Sequence, residues 1–150
     1  MKMKKIYLFG LSALLLSSCV KDLDNVDPKK ASKVPAETMF ANAQKNLTDQ
    51  MTSTSVNLNI WRLITQQWQE TTYLDESKYD LATRNIPQNL WVIIYRDVLK
   101  DLNESKRLIQ ADNTYTDQGL KDNKLAQIDL MEVYAYSVLV NTFGNIPYSQ

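Results

Sequence analysis

Four side chains in one short stretch are of the types that recognise hydroxyl-rich ligands. Tyr73, Asp75, Tyr79 and Arg84 lie in a mostly polar segment, 71–86, that shows no clear period and reads as a long loop. An aromatic ring gives a sugar ring an apolar face, while Asp accepts from hydroxyls and Arg donates to them. Loops on a rigid scaffold carry binding residues more often than scaffold faces do; the bland alternative is a solvated loop with half-buried tyrosines. Glu70, Asp75 and Glu76 add carboxylates at close spacing. Glycoside hydrolysis needs a carboxyl pair about 5–5.5 Å apart for retention or about 6.5–9.5 Å for inversion. No periodic element holds these three, so they read as surface acids. Trp61, Trp68 and Trp91 are further sugar-stacking types, but each falls on the apolar stripe of a predicted helix and is expected in the core.

Composition removes most other chemistry. The 150 residues include no His, the commonest general base and metal ligand, and a single Cys, which excludes an internal disulfide and a Cys-based zinc cluster. Three Gly, at 10, 119 and 144, cannot build a Gly-rich phosphate loop. No metal, no cofactor and no enzymatic activity are expected. The 17 basic and 17 acidic residues give no basic patch that would suggest nucleic acid. With 44% apolar and 23% charged residues the chain reads as globular, of a length for one domain.

The N-terminus points to a membrane. Lys2, Lys4 and Lys5 precede an uncharged stretch, 6–18, of 13 residues. That is shorter than the roughly 20 residues needed to cross a bilayer core, and it has the length of a signal-peptide apolar region. Leu16-Ser17-Ser18-Cys19 follows and resembles a bacterial lipoprotein signal, in which the Cys sulfur is lipidated and the chain is cut before it. Residues 1–18 are therefore expected to be a signal peptide, Cys19 the lipidated residue, and 19–34 a polar tether. Loss of three lysines would leave 14 basic against 17 acidic residues, a net charge of −3. Asp22 and Asp24 just after the Cys resemble surface-export signals of bacterial lipoproteins.

Residues 35–150 must hold the loop in place, and their pattern is helical throughout. Pro35, then Phe40, Ala43, Leu47 and Met51, predict a first helix over 35–51. Trp61, Ile64 and Trp68 predict a second over 57–70. Pro87 opens a third, 87–110, with Trp91, Ile94, Tyr95, Val98, Leu102 and Ile109 on one stripe. Gly119 falls in the next connection, and Leu125, Ile128, Met131, Ala135, Val138 and Leu139 face inward from a fourth, 120–142, stopped by Gly144. No strand pattern is found. The expected class is all-α, built of antiparallel helix pairs.

Three segments in this order resemble the SusD/RagB family of outer-membrane nutrient-binding lipoproteins. They are the lipoprotein signal with its tether, the helix carrying Trp91, Tyr95, Val98, Leu99 and Leu102, and the run Thr142-Phe143-Gly144-Asn145-Ile146-Pro147-Tyr148, where Asn145 stands for the family's more usual Asp. The resemblance covers the N-terminal part of the family's pattern, so the chain reads as a fragment. It implies a tetratricopeptide-like helical scaffold on the outer membrane. It also implies glycan or oligosaccharide capture without catalysis, and delivery to a SusC-like TonB-dependent transporter. A peptide or other nutrient ligand, or a small structural lipoprotein that only binds a partner protein, are the alternatives.

Overall fold

The computed structural model describes residues 33–148, together with Asp27, Lys29 and Ala31. The signal peptide, Cys19 and most of the tether lie outside the described residues. Helix α1 spans Ala36–Thr52. Pro35 precedes it in extended conformation, and its carbonyl accepts from the N–H groups of Thr38 and Met39. The missing proline N–H leaves nothing unsatisfied there. Helix α2 is a single turn, Trp61–Ile64. Helix α3 (Ile86–Val92) runs through a π-helical stretch (Ile93–Leu99) into α4 (Lys100–Ala111) with helical dihedrals at both joins. Helix α5 spans Gln118–Phe143. The described residues contain no strand, and the all-α expectation holds.

Side-chain bonds show how the helices run. Ser105 Oγ donates to the Ala36 carbonyl, Asn42 to the Asp101 carboxylate and Asn46 to the Asp97 carbonyl inside the π stretch. As one number rises the other falls, so α1 lies antiparallel to the α3–α4 rod. Likewise Lys121 Nζ donates to the Gln110 and Asp112 carbonyls, Lys106 pairs with Asp129 and Glu132, and Tyr95 stacks edge-on against Tyr136. Thus α5 folds back along α4 as the second antiparallel pair. Ala43, Ile94, Val98, Leu102, Ala135 and Leu139 sit at the centre with no exposed surface. Their spacing on each helix puts one stripe inward.

The first, third and fourth predicted helices are found within two residues of their expected ends. The second is not. A helix over 57–70 was expected, yet it stops at Ile64. The Gln67 N–H bonds the Arg62 carbonyl, the Gln66 N–H bonds the Leu63 carbonyl, and Gln66 takes the left-handed conformation at φ 58°. This pair of bonds is a Schellman stop, usually built on Gly. Trp68, expected in the core, is consequently 46% exposed. A second correction concerns Gly119, which lies in the first turn of α5. Asp117 starts that helix by accepting from the Leu120 N–H, and a Cβ at Gly119 would sit 3.2 Å from the capping oxygen. Gly144 ends α5 as expected, at φ 77°.

Candidate functional site

Between α2 and α3 the chain makes an irregular platform, interrupted by a 3-10 turn at Glu76–Lys78. Three non-glycine residues adopt positive φ among the described residues, and all lie here: Gln66, Tyr73 and Tyr79, at 58°, 57° and 63°. This conformation is costly for a bulky side chain and collects at functional sites. Tyr79 is held by a Schellman-type pair like that at Gln66, with the Asp80 N–H on the Asp75 carbonyl and its own N–H on the Glu76 carbonyl. Beyond it Asp80 orders the descent to α3. Its carboxylate accepts from the Ala82 and Thr83 N–H groups and the Thr83 hydroxyl, and these bonds, the hydroxyl first, hold its pKa below the usual carboxylate range.

Tyr73 and Arg84 come together: the guanidinium carbon stands 5.8 Å from the ring centroid of Tyr73, which is 73% exposed. Tyr79 lies apart from them. Its hydroxyl donates to the Ile64 carbonyl and accepts from Gln66, so it braces the end of α2 while more than half of it stays exposed. Asp75 is half-buried, and its backbone carbonyl anchors the turn. Trp68, a stacking type that the sequence places in the core, lies on the platform instead, and the Arg62 guanidinium stacks on its ring at 4.6 Å. The platform thus presents three aromatics, two of them each backed by an arginine.

Glu76 is a further correction. Expected as a surface acid, it is 1% exposed. Its Oε2 pairs with Arg84 at 3.2 Å, and Arg84 also reaches the Asn57 side-chain oxygen. The Glu70 carboxyl neighbours Glu76, and its pKa is raised, first by burial and then by the Glu76 charge.

Trp61 and Trp91 behave as expected, packing against the core half-buried. Trp91 meets Tyr95 and Phe143, and Tyr136 meets Tyr148. The Tyr95 hydroxyl donates to the Pro147 carbonyl and that of Tyr136 to the Tyr148 carbonyl. This second aromatic cluster pins the turn after α5 to the helices. Among the described residues no group of three or more His, Cys, Asp or Glu is placed to hold a metal, and no helix is long and apolar enough to cross a membrane.

No curated protein and no solved structure matches the chain. One family model, SusD-like, does match, over residues 28–150, and its description is starch-binding associating with outer membrane. That span contains α1 to α5, the platform, and the Trp91 and Gly144-to-Tyr148 segments that carry the sequence resemblance. The chain belongs to the SusD-like family of starch-binding proteins that associate with the outer membrane.

Proposed function

We propose that this chain captures glycans on the platform between Arg62 and Arg84 and passes them to a SusC-like TonB-dependent transporter, without chemistry of its own. One observation carries the reading: Trp68, Tyr73 and Tyr79 are exposed, and both tyrosines sit on backbone that is costly to hold. Exposed rings flanked by guanidinium groups suit a sugar, whose C–H face packs on the ring and whose hydroxyls accept from arginine. Titration of the full chain with maltoheptaose tests it. Trp68→Ala and Tyr73→Ala are each expected to weaken binding about tenfold, the loss of roughly 1.4 kcal/mol of stacking. Unchanged affinity in both variants would remove the platform from the binding site.

Anchoring on the outer surface by a lipid at Cys19 belongs to the same reading. Two or more acyl chains hold a protein stably where one holds it marginally. Cys19→Ala is expected to abolish incorporation of labelled palmitate and to release the protein from the membrane fraction. Label retained in the variant would place the anchor elsewhere.

A second reading, a helical lipoprotein that serves protein contact alone, is favoured by α5. Leu130, Val133, Tyr134 and Val140 are exposed along it at helical spacing. A stripe of this kind suits a protein partner. Absence of glycan binding, together with persistent association with an outer-membrane barrel, would favour it.

A further inference from the structure

Stacking on the platform makes no use of the acidic pair beneath it. Glu76 Oε2 accepts from Arg84, but Glu76 Oε1 and Glu70 Oε2 are both buried without a partner. An ionised carboxylate only accepts hydrogen bonds. Two neighbouring carboxylates leave two buried oxygens without a donor and set two negative charges near one guanidinium. One proton on Glu70 removes both faults, because its O–H then donates to Glu76.

We propose that Glu70 is a protonated carboxylic acid that donates to Glu76, and that this proton latches the platform in its binding form. The latch rests on the glycan-binding reading; the proton does not. The connections are short. The Glu70 N–H donates to Ser77 Oγ at 3.2 Å, which ties the two limbs of the loop together. Glu76 holds Arg84, and Arg84 stands over Tyr73 and reaches Asn57. When the proton leaves, Glu70 repels Glu76 and competes for the guanidinium that backs Tyr73.

The charged groups facing Glu70 are Glu76 and Asp75, which favour the proton, and Arg84, which opposes it; burial favours it most. A raised pKa means the native state keeps a proton that the unfolded chain loses near 4.5. The stabilisation is therefore full below that value and is lost as the pH rises through the raised one.

Carbon-13 carboxyl NMR of the unmodified chain reads the proton directly, and urea unfolding and maltoheptaose titration across pH 4–9 read its effects. The Glu70 signal is expected to titrate above the ordinary glutamate value of 4.5. Wild-type affinity is expected to fall by up to about tenfold per pH unit beyond that point. Glu70→Gln keeps a donor toward Glu76 and should hold both stability and affinity level with pH. A Glu70 signal titrating with the ordinary glutamates overturns the proposal, and so do parallel stability profiles for wild type and Glu70→Gln. A high-titrating Glu70 in a protein that binds no maltoheptaose at any pH supports the proton and overturns the latch, and the glycan reading falls with it. Should Glu70→Gln not fold, the NMR titration alone decides whether the proton is there.

Discussion

Trp91→Ala is expected to destabilise the protein by about 3 kcal/mol, with glycan affinity unchanged. Truncation of a core Trp costs about 3–5 kcal/mol, and the half-buried position of this ring sets the value at the low end. The indole meets Tyr95 with centroids 4.7 Å apart and Phe143 edge-on at 5.2 Å, so it joins the π stretch to the end of α5. Those geometries contribute beyond the apolar area they bury. Removing it also loosens the support of Tyr95, whose hydroxyl holds the Pro147 carbonyl at 2.6 Å. Urea unfolding should show a lower midpoint with an unchanged slope, the signature of a change in stability alone. If the midpoint stayed and maltoheptaose binding fell, Trp91 would be a binding residue and the core assignment would be wrong.

Arg84→Ala is expected to damage both stability and binding. Glu76 would keep its buried position and lose its cation. Breaking a buried pair from one side costs about 3–5 kcal/mol, because a charge is left without compensation. The Arg84 side chain is 27% exposed, so water can enter in its place, and about 2 kcal/mol is the expected loss. In a unit of this size that lowers the melting temperature by roughly 10 °C. Tyr73 loses the guanidinium over its ring as well, and maltoheptaose affinity should fall with it. Arg84→Lys retains the charge without the planar fork that spans Glu76 and Asn57, so it should recover part of the stability and little of the binding. A melting temperature unchanged in Arg84→Ala would mean that the Glu76 pair adds nothing to the fold.

The long helices were legible because each buries one face for several turns. Ala43 and Leu47, then Ile94, Val98 and Leu102, recur at helical spacing and lie in the core. The family was legible too, since Trp91, Tyr95 and the Phe143-to-Tyr148 run stand in this sequence at fixed spacing and the family match spans them. The platform was legible only in part. Tyr73 and Arg84 do meet, whereas Asp75 serves the turn and Tyr79 braces α2. Trp68 sits seven residues after Trp61, a spacing that predicts burial wherever a helix continues.

What the sequence determined by itself is the helical class, the three long helices, the Gly144 stop and the family. Each follows from periodicity or from a short run of residues, where neighbours in the chain supply the physics. Tertiary structure alone decided that α2 ends after one turn, because Gln66 enters the left-handed region without a glycine to announce it. It alone decided that Glu76 is buried. That needs Arg84 from eight residues further on, Asn57 from across the loop, and the Glu70 carboxyl, brought to one place. A carboxylate leaves water only where partners replace its hydration, and those partners are distant in the chain.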